Sequence, residues 1–449
     1  MTSAESGTDV LVIGCGAAGM FAAIHAAAAG ARVTVLEQND KAGKKIYITG
    51  KGRCNLTNDC GAEEILEHTI RGKKFLYSAV YGCDSGSVQR FFSERGCPLK
   101  TERGGRVFPV SDKSSDIIRV LTKEMERLGV CVRYGTRVRE LLTEDGRVRG
   151  VLLADGTSLT AEAVIIATGG LSYPATGATG DGYRFAKSAG HQVTECRPSL
   201  VPFETAEAWH KELQGLTLKN VRLYMLPAPA ETKAGGGSGK ARKKMRFDEQ
   251  GELLFTHFGV SGPLVLTACA LLNDALHDGA GAGEEGHGAL PLRLAIDCKP
   301  ALGAEELDRR LLRDFSAQPR RQFKNSLGGL FPASLIPVMC ALAEECAGIA
   351  PDTPAGELTR AQRLAFGALM KALPVTVTGT RGFSEAVITR GGVELKEIRP
   401  STMASKLCDG LFFAGEGLDC DALTGGFNLQ IAWSTGALAG RSAAESAKV

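Results

Sequence analysis

Gly14, Gly16, Gly19 and Glu37 are the residues whose types and spacing speak most directly of chemistry. Gly14 permits a tight strand-to-helix turn, Gly16 lets a diphosphate approach the backbone, and Gly19 lets the helix pack closely on a sheet. Ala17 and Ala18 keep the loop small, and the first N–H groups of the helix are free to receive the diphosphate. Glu37 follows 18 residues after Gly19 and can accept hydrogen bonds from both ribose hydroxyls. Glycines alone also mark ordinary turns. Here an apolar strand, Val10 to Ile13, precedes them, a small-residue helix runs to Ala29, and a second strand, Arg32 to Leu36, delivers the acid. That order is the one a dinucleotide-binding βαβ unit requires.

Two further glycine clusters call for the same ligand. Thr168, Gly169 and Gly170 end the apolar run "EAVIIATGG", where bare backbone can lie against a cofactor. Gly415 and Glu416 end the strand-like "GLFFAGE", and Gly425, Gly426, Asn428 and Leu429 open a final helix. Each of these reads singly as a turn. Together with the first cluster they match the way a two-domain flavoprotein wraps FAD, with a helix N-terminus aimed at the ring, where it favours negative charge. Val138 joins them as an expected cofactor contact. NAD as sole cofactor is the competing reading, but a dehydrogenase needs no C-terminal strand returning to the site. The stretch Gly177–Gly182 has its glycines in the wrong frame for a second nucleotide site.

These residues need an α/β frame. A chain of 449 residues predicts two or three domains. Residues 1–195 read as the first segment of an FAD-binding domain, with strand-like runs and a turn at Glu144-Asp145-Gly146 before the second glycine cluster. Residues 196–302 read as an inserted β-rich domain, with Gly-rich loops from Ala230 to Lys244 and from Asp278 to Gly288. Lys240 to Lys244 reads as a solvated loop tip rather than a binding patch. Residues 303–372 carry apolar positions at three- and four-residue spacing and predict a helical subdomain. Residues 373–395 return as strands of the insertion, and 396–449 complete the FAD-binding domain.

At this level the chain resembles a known family, the BaiN-like, YhiN-type flavoproteins, also called aminoacetone-oxidase-family FAD-binding enzymes. The resemblance rests on "GKGRCNLTN" (50–58), "GGLSYPATGATGDGY" (169–183), "GELLFTHFGVSGP" (251–263) and "GEGLDCDALTGGFNLQIAWSTG" (415–436), in that order along nearly the whole chain. It implies an α/β fold: a discontinuous Rossmann-like FAD-binding domain with an inserted β-barrel-like part and a helical part. It also implies non-covalent FAD and reduction of double bonds conjugated to a ketone in steroid-like 3-oxo bile acids. One departure is Asp421-Ala422 and Phe427, where the family usually carries Asp-Gly and Tyr.

The resemblance brings Gly52, Arg53, Cys54 and Asn55 to the flavin, with Arg53 and Asn55 offering donors to the ring edge; an ordinary polar loop is the blander reading. Cys54 reads as redox-active or, lacking a C-x-x-C partner, as inert. His257 and Tyr173 are the candidate catalytic acids, each with a packing role as its alternative.

The 53 basic and 50 acidic residues leave a formal charge of +3, and aromatics make up 6%. Such a balance gives no nucleic-acid footprint. The 13 cysteines are scattered, which fits reduced thiols in a cytoplasmic protein and neither a disulfide framework nor a metal site. Met1 to Asp9 is polar and no signal peptide, and residues 14–31 are too weakly apolar to span a membrane. No feature sets an oligomeric state.

The expected activity is therefore an FAD-dependent oxidoreductase with NAD(P)H as transient co-substrate. It would reduce an enone in a bulky cyclic ketone, a small-molecule substrate held between the FAD domain and the insertion. The alternatives are an oxidase of a small amine or aminoketone, and a non-enzymatic flavin-binding or RNA-associated module.

Overall fold

The computed structural model describes residues 7–226, 247–277 and 291–448. The loops read at Ala230–Lys244 and Asp278–Gly288, with the first six residues, lie outside the described residues. Two compact units are present. The first is Met1–Ser199 with Gly382–Val449, and the second is Leu200–Arg381.

The first unit is built on a seven-stranded sheet. Cys131–Arg133, Val33–Leu36, Thr8–Ile13 and the second half of Ser158–Ile166 run parallel, and Leu411–Phe413 adds a further parallel strand. The first half of Ser158–Ile166 pairs antiparallel with Arg147–Leu153, which pairs in turn with Val138–Glu144. Asp145 and Gly146 both take positive φ at the tip of that hairpin, the turn geometry whose twist suits two-residue hairpins. Val10, Leu11, Val12, Val164 and Ile165 are fully buried. A parallel sheet covered on both faces needs such unbroken apolar runs.

The helix Phe427–Ser446 packs along the glycine-loop helix Ala17–Ala28. A Cβ at Gly436 would stand 2.5 Å from Ala18 O, and one at Gly440 would stand 2.2 Å from Ala22 O. Two glycines one turn apart therefore let the backbones touch. The chain's last segment is thus part of the first unit's core, with Trp433 fully buried and its Nε1 donating to Leu56 O at 3.0 Å.

The second unit contains a closed six-stranded barrel. Its order is Phe203–Thr205, Gly259–Ser261, Asp248–Thr256, Thr217–Met225, Leu292–Asp297 and Leu373–Thr380, all antiparallel. Leu373, Val375 and Val377 are buried at alternate positions, as the inward face of a barrel strand requires. Helices Ala304–Ala317, Ile336–Ala347 and Arg360–Lys371 form the helical part. The α/β class, the discontinuous Rossmann domain, the barrel and the helices agree with the expectation from sequence.

The boundaries differ at both crossings. Sequence patterns place residues 196–199 and 382–395 in the insertion, yet Arg197–Ser199 pairs antiparallel with Ile388–Arg390 inside the first unit. Backbone pairing between two remote short strands leaves no local sequence signal, so the division falls at Leu200 and Gly382 instead.

Candidate functional site

A pocket in the first unit opens at the C-terminal ends of the parallel strands. The glycine loop forms its centre, with Gly14, Gly16, Ala17 and Ala18 on the lining. Gly14 has φ +103°, and a Cβ there would lie 2.6 Å from Ala167 O. Only glycine satisfies both conditions. A Cβ at Gly16 would meet no atom within 4 Å, so open space stands before the helix it begins. That helix has no side-chain cap and no acid in its first turn. Backbone donors facing open space, with the positive helix end behind them, suit a diphosphate. Gly19 lies off the lining; its Cβ would come 1.9 Å from Gly14 O, so it serves the packing of loop on helix.

Glu37 stands at the tip of its strand and lines the pocket. Its Oε2 accepts from Cys15 N at 2.8 Å, and its Oε1 accepts from Asn39 N at 2.8 Å and Asn39 Nδ2 at 2.7 Å. The carboxylate thus fixes the glycine loop as well as presenting lone pairs to the pocket. Thr136, Arg137, Val138 and Asp181 line the same side, and Arg137 pairs with Asp181 at 3.2 Å.

The other side of the loop carries a second polar group. Lys45, on the short helix Lys44–Ile48, lies 2.6 Å from Glu416 Oε2 and also donates to Ser172 Oγ. Glu416 Oε1 accepts from Ser172 Oγ at 2.6 Å and from Thr389 N at 2.9 Å. Burial alone would raise the Glu416 carboxyl, but the Lys45 ammonium and these hydrogen bonds outweigh it and hold it below the usual range. Lys45 and Glu416 line the pocket with Asn428 and Leu429. Sequence reasoning missed Lys45, Ser172 and Thr389. Lys44 and Lys45 are adjacent and alike in sequence, and only the helix's direction turns Lys44 to Asp40 and Lys45 to Glu416.

Thr168, Gly169 and Gly415 also line the pocket, whereas Gly170 does not: a Cβ there would strike Thr389 Oγ1. Gly425 and Gly426 precede the final helix off the lining, and Asn428 accepts from Ala422 N at 3.0 Å and donates to Ala422 O at 2.8 Å. Phe427 stacks on His68, 4.3 Å between ring centroids.

The segment 52–55 is engaged elsewhere. Gly52 is off the lining, and Arg53 forms a two-pronged pair with Glu102 at 2.8 and 2.9 Å, over the Phe108 ring. Cys54 is fully buried, and burial pushes its thiol up to about 12, so it is not a ready nucleophile. Asn55, with its amide oriented to satisfy both ends, accepts from Gly426 N at 3.0 Å and donates to Thr57 O at 3.1 Å. It therefore ties this segment to Gly426, the residue before the final helix.

Neither candidate acid lines the pocket. Tyr173 has φ +54° and sits before Pro174; burial, with the nearby Glu385 carboxylate, pushes its phenol up. His257 is in the second unit, exposed at the hairpin between Asp248–Thr256 and Gly259–Ser261. Its carbonyl accepts from His210 Nε2 at 3.2 Å. A buried, satisfied ring is therefore excluded for His257. No cluster of metal-ligating side chains and no helix long and apolar enough to cross a membrane is found among the described residues.

Comparison with known proteins adds what geometry does not. The profile of the HI0933-like protein Rossmann domain matches residues 8–442. The 3-dehydro-bile acid delta(4,6)-reductase of Clostridium scindens is 32% identical over 437 residues, covering 97% of this chain and 98% of that protein. The ribosomal RNA dihydrouridine synthase of Escherichia coli is 30% identical over 430 residues, covering 95% and 96%. Among solved structures, the 3-ketosteroid delta1-dehydrogenase of Sterolibacterium denitrificans shares the fold with a TM-score of 0.50 at 15% identity, covering 98% of this chain and 99% of that one.

Proposed function

Because the chain belongs to the HI0933-like family of FAD-dependent oxidoreductases, we propose that it reduces a carbon–carbon double bond conjugated to a carbonyl. One observation carries this reading. Two relatives aligned over nearly the whole chain are named for different substrates but for one kind of reaction. A 3-oxo bile acid with Δ4,6 unsaturation is an extended enone, and uracil's 5,6 double bond is conjugated to its 4-carbonyl. Each is saturated by hydride at a carbon that is electrophilic through conjugation with the carbonyl, the β-carbon or, across the dienone's outer double bond, the δ-carbon, and by a proton at the neighbouring carbon of that double bond.

When bound, FAD supplies the hydride chemistry. The chain's own residues hold and orient it. The open space before Gly16 and the uncapped helix Ala17–Ala28 would receive the diphosphate, and Glu37 would accept from the ribose hydroxyls. Lys45, Glu416, Asn428 and Leu429, which line the rest of the pocket, would hold the flavin-bearing half. Tyr173 Oη is the proposed proton donor, since Tyr173 lies between two stretches that line the pocket, 167–169 and 176–179. NAD(P)H is the proposed source of hydride; the G-x-G-x-x-G that follows an apolar strand, Gly14–Gly19, is given to FAD, so NAD(P)H would bind transiently.

The narrower reading is a bulky cyclic ketone of the 3-oxo steroid type. Its rival is a uracil ring in RNA, favoured by the Escherichia coli relative and by a second ribosomal RNA dihydrouridine synthase, from Haemophilus influenzae, at 30% identity. Steady-state NAD(P)H oxidation with a steroid 4,6-dien-3-one and, separately, with unmodified ribosomal RNA tests the pair. Turnover with the steroid alone supports the narrower reading, turnover with RNA alone replaces it, and turnover with neither removes both.

A further inference from the structure

Six charged side chains line the pocket: Glu37, Lys44, Lys45, Arg137, Asp181 and Glu416. Glu37, Arg137 and Asp181 belong to the side where the adenosine ribose is placed. Lys44 turns to the exposed Asp40. Lys45 and Glu416 alone remain on the side given to the second half of the dinucleotide. They are three-quarters or more shielded, with side chains 25% and 20% exposed, and stand 2.6 Å apart.

Two-electron, one-proton reduction leaves a flavin with one negative charge more than its oxidised form. An ammonium nearby favours that state and a carboxylate opposes it, and both act strongly where water is thin. We propose that Lys45 and Glu416 form a charge-balanced pair that sets the reduction potential of the bound flavin. Lys45 supplies the favourable field, Glu416 offsets it, and Ser172 Oγ and Thr389 N hold the carboxylate in place. Both are positioning residues, acting on the cofactor through their charge. The inference rests on the FAD reading above and adds a role which that reading does not require.

The bland account is a structural knot. Lys45, Ser172, Thr389 and Glu416 come from four separate segments, and their hydrogen bonds tie these together. A knot and a charge pair predict different outcomes. Losing either member of a knot loosens the same structure, so K45M and E416Q would move the potential in one direction or not at all. Losing either member of a charge pair moves it in opposite directions.

The experiment is an anaerobic redox titration of the purified holoenzyme against a reference dye at alkaline pH, where an uncompensated carboxylate stays ionised. Flavin content of the wild type is measured first. We expect E416Q to change the reduced-to-oxidised ratio at fixed poise about tenfold upward, about 30 mV for a two-electron couple. K45M is expected to change it by a similar factor downward, and K45M/E416Q to return near the wild type. Shifts of the same sign, or shifts under twofold, overturn the proposal while leaving FAD binding intact. If K45M sheds its flavin, E416Q decides alone: a rise supports the pair, and a fall or no change overturns it. Wild-type protein without flavin would overturn the FAD reading and this inference together.

Discussion

Gly16 and Glu37 make separable demands at the pocket. The space beyond Gly16 is open, so Gly16→Val fills it without disturbing the fold. We expect that variant to purify folded and colourless, as circular dichroism and flavin absorbance would show together. Glu37→Ala should weaken FAD by about 1–3 kcal/mol, the range for losing hydrogen bonds to a charged group; titration of apoprotein with FAD checks it. Part of that loss comes from Cys15 N and Asn39 N, which lose their acceptor. The glycines and Glu37 were legible because a local motif fixes both their geometry and their neighbours. Arg53 and Asn55 were less so. Their types suit ring-edge donors, but Glu102 and Gly426 N, remote in sequence, engage them. Lys45 was invisible for the converse reason: its partner Glu416 lies 371 positions away.

At the scale of elements, two helices govern the site. Gly436→Leu would drive a side chain into Ala18 O, where overpacking costs about 1–3 kcal/mol. Because Ala18 also lines the pocket, the same variant should lose flavin affinity along with a lowered melting temperature. His25, on the glycine-loop helix, carries a pH dependence. Burial, with the Arg441 and Arg95 charges, pushes its imidazole from 6.5 down to about 4. The unfolded chain therefore takes up a proton below about pH 6.5 that the folded chain refuses until about pH 4. Stability falls as pH drops through that window. Each pH step within it costs about 1.36 kcal/mol, so His25→Leu should remove about 2 kcal/mol of that loss at pH 5. Urea melts of both proteins at pH 5 and 7 measure it. Helices and strands were readable because their periodicity is local, as in Leu373–Thr380. The pairing of Arg197–Ser199 with Ile388–Arg390 was not, since three-residue strands carry no period.

For the whole molecule, the first unit's core is completed by its last segment. Leu411–Phe413 extends the sheet and Phe427–Ser446 covers the glycine-loop helix. A fragment ending near residue 195 should misfold or fail to hold flavin, and a soluble, yellow fragment would contradict this dependence. What the intact protein does with electrons is tested most directly by reducing the holoenzyme with NAD(P)H without oxygen, adding a steroid 4,6-dien-3-one or uracil-bearing RNA, and watching the flavin spectrum. We predict reduction by NAD(P)H and return of the oxidised spectrum on adding one of these conjugated carbonyl compounds, with its double bond saturated in the product. A reduced flavin untouched by either, but reoxidised rapidly by oxygen with stoichiometric peroxide, would contradict the reductase account and identify an oxidase.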